Sequence, residues 1–204
     1  MSHYFEQDPT SNSCKKNVKV FINDIHFNFV TDNDVFSKKG LDFGTRTLLE
    51  TIDVEKINGK VLDFGCGYGP IGIYLAYNNK DVDMIDINNR AIELSKMNAK
   101  NNRVKVNIFQ SDMYSNITLK YDYIISNPPI RVGNEILYKI LIGAKEHLNK
   151  NGHLIFVINK NQGAKTVAKK LEEYYEINVI NKNKGFFVID CQNRWQVVLD
   201  LVKL

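Results

Sequence analysis

Cysteine, proline and long apolar runs are all scarce in this chain, and each scarcity excludes something. The three cysteines, Cys14, Cys66 and Cys191, are odd in number and show no metal-ligand spacing. Neither a disulfide framework nor a zinc site is expected, and a reducing compartment suits such usage. His3, His26, His147 and His153 form no HExxH-like pair, so no metal is expected from that side either. No apolar run approaches the ~20 residues that span a bilayer, and no charged-then-apolar leader opens the sequence. A cytoplasmic protein without membrane contact is therefore expected, and a monomer. A dedicated basic tail is also missing. The net charge of +4 comes from residues that are mostly spread out, in short pairs such as Lys15-Lys16, Lys38-Lys39 and Lys169-Lys170. That balance permits a polyanionic partner without demanding one.

The chain has 204 residues, 44% of them hydrophobic, which is enough for one well-buried domain with a small appendage. Residues 1–16 are polar, contain Pro9 and read as a loosely ordered arm. Residues 18–23 and 26–31 alternate apolar and polar positions around Asn23-Asp24, the pattern of a hairpin. A loop over 34–45 leads into a helix that carries Leu48, Leu49 and Ile52. Strand and helix patterns then alternate. Short apolar strands are expected at 61–64, 82–87, 104–109, 121–126, 154–158 and 177–180. Helices are expected at 71–77, 89–100, 135–148 and 164–174, with Asn151-Gly152 ending the third of these. Residues 181–185 turn into a last strand, 186–189. This is an α/β pattern with a doubly wound, mostly parallel sheet, to which the final hairpin adds one antiparallel strand. The expected division is an arm and hairpin over 1–30 and one α/β domain over 31–204. Residues 195–201 fit either a strand or a helical turn.

Proline is used pointedly. Two of the four prolines are adjacent, in Asn127-Pro128-Pro129-Ile130 at the end of an apolar strand. Consecutive prolines donate no hydrogen bonds and cannot continue a strand, so the chain must turn there. The Pro128 carbonyl and the Asn127 side-chain amide are then left free at a strand's carboxyl end, the edge of an open parallel sheet where ligands bind. Two aimed oxygens can hold both hydrogens of a planar amino group and leave its lone pair facing an electrophile. A purely structural turn is the duller reading.

Gly65, Gly67 and Gly69 follow one strand and precede a helix, and Pro70 suits that helix's first position. The spacing is GxGxG and not the dinucleotide GxGxxG, which favours a nucleoside ligand without phosphate over a pyrophosphate. Asp86 closes the next strand about 20 positions on, placed to accept both ribose hydroxyls or, alternatively, to cap the following helix. Ser111-Asp112 follows the third strand, where a carboxylate reaches an adenine amino group or simply shapes a turn.

Taken together and in order, these segments resemble the class I S-adenosylmethionine-dependent methyltransferases of the small methyltransferase domain type. The likeness covers about three quarters of the chain, from Phe36 to Ile189. It is carried by Val35-Phe36-Ser37, by Gly40 to Arg46, by Asp63 to Pro70, and by Asp86, Ser111-Asp112 and Asn127 to Ile130. The opening Ser2-His3-Tyr4 is similar to short, single-domain members. The group resembled most is the bacterial small-subunit ribosomal RNA guanine-N2 methyltransferases and their short relatives.

The resemblance implies a Rossmann-like, seven-stranded sheet and S-adenosyl-L-methionine as cofactor. It implies cofactor contacts from Asp63, Gly65, Cys66, Gly67, Gly69, Asp86, Ile87, Ser111, Asp112 and Asn127, with Phe43 and Thr45 beside the methionine end. The catalytic turn would be Asn127, Pro128, Pro129 and Ile130. The implied substrate is guanine N2 of small-subunit (16S) ribosomal RNA. Arg131, Lys160 and Gln162 lie on the same rim as RNA contacts or ordinary solvated loop residues.

Two departures stand out. Many amino methyltransferases carry an aromatic residue after Asn-Pro-Pro, and Ile130 has no ring to stack on a base, which disfavours adenine N6 of DNA and protein glutamine as targets. Longer ribosomal RNA relatives carry an amino-terminal domain that helps bind RNA and has no counterpart in this sequence. Methylation of another amine and a non-catalytic cofactor- and RNA-binding factor remain the alternatives. A nicotinamide oxidoreductase is disfavoured by the glycine spacing and by the lack of a His or Tyr-Lys proton donor constellation.

Overall fold

The computed structural model describes residues 7–37, 40–129 and 133–194. Seven strands form one sheet in the order β5-β4-β3-β6-β7-β9-β8. They are β3 (Lys60–Phe64), β4 (Asp81–Asp86), β5 (Asn107–Gln110), β6 (Tyr121–Ser126), β7 (Leu148–Asn159), β8 (Glu176–Asn183) and β9 (Phe186–Gln192). All run parallel except β9, which is antiparallel to both β7 and β8. Strand order reverses between β3 and β6, so the carboxyl ends of the strands flank a crevice there.

Helices cover both faces, which is why the strands read as apolar runs and not as alternating ones. Val61, Val82, Met84, Ile125, Ile155 and Val157 face α1 (Phe43–Thr51), α2 (Pro70–Tyr77) and α3 (Asn89–Asn101). Their neighbours Leu62, Ile85, Ile124, Leu154 and Phe156 face α4 (Asn134–His147) and α5 (Ala164–Leu171).

A separate two-stranded hairpin, β1 (Lys16–Ile22) and β2 (Ile25–Thr31), lies on the first of these faces. Asn23 and Asp24 have φ of 45° and 63°, the left-handed pair that a two-residue hairpin turn requires. Phe27 and Phe29 are fully buried against Tyr74, Tyr77 and Tyr68. Helix α3 then behaves like a third strand towards β2. Asn98 Nδ2 donates to the Val30 carbonyl at 2.9 Å and its Oδ1 accepts the Val30 N–H at 2.7 Å. One turn on, Asn102 repeats the exchange with Asn28 at 2.9 and 3.0 Å.

Three expectations change. The segment over 7–15 is irregular but tied down and not loose. Asp32 accepts from Ser13 and Cys14, Arg90 donates to the Ser11 and Asn33 carbonyls, and Asn89 donates to Gln7 and Asp8. Asn151-Gly152 does not end α4, which stops at His147 with Leu148 as its cap. It forms a bulge instead: Tyr121 pairs with Leu148 but Tyr123 with His153. A Cβ on Gly152 would meet three backbone carbonyl oxygens at 3.1 Å, closer than an ordinary contact, so glycine suits that bulge. Strand β5 starts at Asn107 because Val104 first closes the turn after α3, donating its N–H to the Ala99 carbonyl. The segment over 195–201 lies outside the described residues, as do Ser2-His3-Tyr4 and Lys38-Lys39.

Candidate active site

The carboxyl ends of β3, β4, β6 and β7 open into a cavity of about 520 Å³. Its wall begins with the glycine loop after β3. A Cβ added to Gly65 or Gly67 would meet no atom within 4 Å, so both positions border open space. Gly69 does a different job: its Cβ would lie 2.8 Å from Ile73 Cδ1, so the bare backbone lets α2 close on the sheet.

Asp86 ends β4 on the cavity wall. Its two carboxylate oxygens accept the Gly67 N–H at 2.8 Å and the Asn88 N–H at 2.9 Å. Burial raises its pKa to about 6, against the pull of those two donors. The helix-cap alternative is taken by Asn88, whose side chain accepts the Ala91 N–H of α3. Asp86 is therefore free of that duty and keeps lone pairs facing the cavity. Ile87, Ser111 and Asp112 also border it. Ser111 is occupied by turn chemistry, donating to the Met113 carbonyl and accepting the Asn116 N–H, while Asp112 is exposed at the rim.

At the end of β6 the wall continues as Asn127, Pro128 and Pro129. Asn127 Nδ2 donates to Thr45 Oγ1 at 2.9 Å and faces the Asp42 carboxylate at 3.3 and 3.5 Å. Asp42 is the N-cap of α1, accepting the Gly44 and Thr45 N–H groups, and Thr45 Oγ1 donates to it. The network fixes which way the amide points. Its nitrogen is consumed by α1, and among the described residues Oδ1 accepts nothing. Ile130 and Arg131 lie outside the described residues.

Five other candidates sit behind the wall and not on it. Asp63 is fully buried beneath the loop, where Oδ2 accepts the Gly72 N–H at 2.8 Å; among the described residues Oδ1 has no partner. Burial, with the nearby Asp86 charge adding to it, pushes its pKa up to about 7. The Cys66 thiol is buried against Ser95, and burial holds its pKa well above the ordinary value. Gly69 and Thr45 act through α2 and Asn127, and Phe43 packs on Phe186. Of the rim residues, Gln162 borders the cavity and caps the turn after β7, whereas Lys160 lays its stem along Gly185.

The sequence reading missed Asp42, Phe186, Val157 and Ile140 in the wall. Asp42 carried a usable signal, an N-cap residue at the start of a helical pattern. Phe186 carried none, because it arrives on the reversed strand. Among the described residues, no group of His, Cys, Asp or Glu could hold a metal ion, and no helix is long and apolar enough to cross a membrane.

The family model for the methyltransferase small domain matches residues 26–190. A Bacillus subtilis protein named "Uncharacterized protein YbxB" is 42% identical over 196 residues, covering 93% of this chain and 98% of that one. Ribosomal RNA small subunit methyltransferase C of Haemophilus influenzae is 42% identical over 131 residues, 61% of this chain. The chain spans only 39% of that relative's length. Among solved structures, the Thermus thermophilus 16S rRNA N2 G1207 methyltransferase, solved with AdoMet and guanosine, superposes with a TM-score of 0.81 at 22% identity. That match covers 91% of this chain and 52% of the other.

Proposed function

The chain belongs to the methyltransferase small domain family, and from that premise we propose that it is an S-adenosylmethionine-dependent N-methyltransferase acting on guanine N2 of small-subunit ribosomal RNA. One observation carries the reading: Asn127 is pinned by its nitrogen with Oδ1 left over, beside the Pro128 carbonyl, in the same cavity as Asp86.

The wall fits S-adenosylmethionine. The open faces of Gly65 and Gly67 leave room for its amino-acid end, Asp86 has acceptors for two ribose hydroxyls, and Ile87 and Asp112 flank a place for the adenine. When bound, this cofactor supplies an electrophilic methyl group on a sulfonium.

The protein's task is then mainly positioning, an effect worth roughly 7–11 kcal/mol of barrier in favourable cases. Asn127 Oδ1 and the Pro128 carbonyl accept the two hydrogens of the exocyclic amine and turn its lone pair towards the methyl carbon. Held along Gly65, Gly67 and Asp86, the cofactor would supply the methyl group to the nitrogen and would itself retain the C–S electron pair as a neutral thioether. The nitrogen becomes cationic in the transition state, and the same two oxygens stabilise it. The surplus proton leaves for solvent without a strong base, because the alkylated nitrogen is acidic.

RNA as the substrate is supported by the relatives' printed activities and by the exposed lysines beside the cavity. The test is transfer of tritiated methyl to naked ribosomal RNA, isolated small subunits, bulk DNA and protein. Label in small-subunit RNA that digests to N2-methylguanosine is the expected result. Label confined to protein or DNA, or to another nucleoside, overturns the substrate assignment.

A further inference from the structure

The sheet order lays out the cavity from end to end. Asp86 stands at the end of β4, Gly65 at the end of β3 and Asn127 at the end of β6. Beyond Asn127, on the side away from Asp86, lie Val157 and Ile158 of β7 and then Phe186 of β9. The proposed cofactor uses the first three stations and leaves this last, apolar one for the acceptor.

Phe186 is held as a fixed ring. It is the first residue of β9, paired with Asn159 of β7 and Asn183 of β8. Its Cε1 would lie 2.9 Å from a Cβ on Gly44, so the absence of a side chain there makes the space the ring occupies. Phe43 supports it from the side, with ring centroids 5.6 Å apart. The position where an aromatic residue would follow Asn-Pro-Pro is Ile130, which has no π-face.

The turn that delivers Phe186 is basic. Lys184 Nζ lies 5.4 Å from the Phe43 ring and Lys182 Nζ 5.2 Å from the Phe187 ring. Lys160 lays its stem on Gly185 of the same turn, donating its backbone N–H to the Gly185 carbonyl at 2.7 Å. All three are exposed, and among the described residues none has a carboxylate oxygen within 4.0 Å. Two cations held against rings and a third braced on the turn, with no acid among the described residues to neutralise them, suit a polyanionic backbone.

We propose that the β8–β9 hairpin is the RNA-recognition element of this protein: Phe186 provides the face on which the extruded target base stacks beside Asn127, and Lys160, Lys182 and Lys184 hold the phosphates that flank it. The proposal rests on the methyltransferase reading above. A base whose amine must reach Asn127 has left its own stack, and an aromatic face replaces part of what it lost. Stacking has the further merit of leaving the base edge, with its amino group, free for Asn127 and Pro128.

The test compares wild type with Phe186→Leu, Phe186→Tyr and the double variant Lys182→Ala/Lys184→Ala. Each is assayed for methyl transfer to small-subunit RNA, cofactor affinity by calorimetry and thermal melting. Phe186→Leu keeps apolar bulk without a π-face, and kcat/KM for RNA is expected to fall about 10- to 100-fold with cofactor affinity unchanged. Phe186→Tyr is expected to stay within a few-fold of wild type. The lysine variant is expected to raise KM at constant kcat and to flatten the dependence of log affinity on log salt by about 0.7 per lost phosphate contact. Phe186→Leu within twofold of a wild type that labels RNA overturns this proposal and leaves the methyltransferase reading intact. So does a loss of cofactor affinity that accounts for the whole defect. A wild type that labels only protein overturns both.

Discussion

Thr45→Val isolates the link between α1 and the reacting amine. Threonine and valine have nearly the same shape, and residue 45 is only 3% exposed, so the change removes an oxygen and little else. That oxygen is the 2.9 Å acceptor of Asn127 Nδ2; the Asp42 oxygens that remain are at 3.3 and 3.5 Å, too long to hold the amide firmly. A hydrogen bond of this kind contributes about 0.5–1.5 kcal/mol net. If that much orientation of Oδ1 is lost in the transition state, kcat falls about 3- to 10-fold, since about 1.4 kcal/mol is one decade of rate. The hydroxyl also donates to the carboxylate that caps α1, so a drop in melting temperature of about 2–4 °C accompanies the change. Methyl-transfer kinetics at 25 °C, well below the melt, separate the two effects, and cofactor affinity by calorimetry is expected to stay put. Thr45→Ser restores the acceptor and is expected to recover most of the rate. An unchanged kcat in Thr45→Val refutes the reasoning, as does a loss that Thr45→Ser fails to rescue.

Three further expectations follow from the same geometry. In the proposed cofactor site Asp86 can accept both ribose hydroxyls only as a carboxylate, and its pKa is raised to about 6, so cofactor affinity should weaken as pH falls through that value, by up to about tenfold at pH 5; Asp86→Asn should abolish this dependence in a calorimetric titration. Asp63 has a folded-state pKa raised to about 7, so the native state binds more protons than the unfolded chain between roughly pH 4 and 7. The Asp63 contribution to stability should therefore fall as pH rises through that window, by at most about 1.4 kcal/mol per pH unit, and melts of Asp63→Asn should show a shallower slope, with the part from Asp86 remaining below about pH 6. Two glycines of one segment should fail differently. Gly72→Ala drives a Cβ to 2.6 Å from Met84 Sδ and should cost about 1–3 kcal/mol of stability. Gly65→Ala points its Cβ into the open cavity and should reduce cofactor affinity, together with a backbone-strain cost of about 1–2 kcal/mol because its φ is 70°.

What could be read from the sequence was chemistry that is local to a few residues. Consecutive prolines after an apolar strand force a turn whatever surrounds them, so Asn127 and Pro128 could be placed at the sheet's edge before any contact was known. The glycine loop and Asp86 were legible for the same reason, since both depend on strand ends and helix starts. What escaped depends on partners distant in sequence. Asn98 falls within the helix expected over 89–100 and Asn102 just beyond it, and only the docked hairpin shows them pairing with strand β2. Gly44 looked like a loop glycine until Phe186, from the far end of the chain, came to lie over it. Asp63 matched a cofactor pattern by residue type, yet its hydrogen bond runs backwards to Gly72 of α2 and its carboxylate supports the loop from beneath. The Asn151-Gly152 pair gave a correct signal for a backbone break, but periodicity alone could not tell a helix end from a bulge within β7.

In the proposed mechanism Asn127 presents an oxygen to the amine that receives the methyl group. Its most direct test is a single-turnover measurement of methyl transfer to small-subunit RNA by wild type and Asn127→Ala, both saturated with cofactor. Removing one preorganised acceptor from a developing charge is expected to slow the chemical step by about 10²–10³ while cofactor affinity stays near that of wild type. A rate within a few-fold of wild type at equal cofactor occupancy would contradict the account.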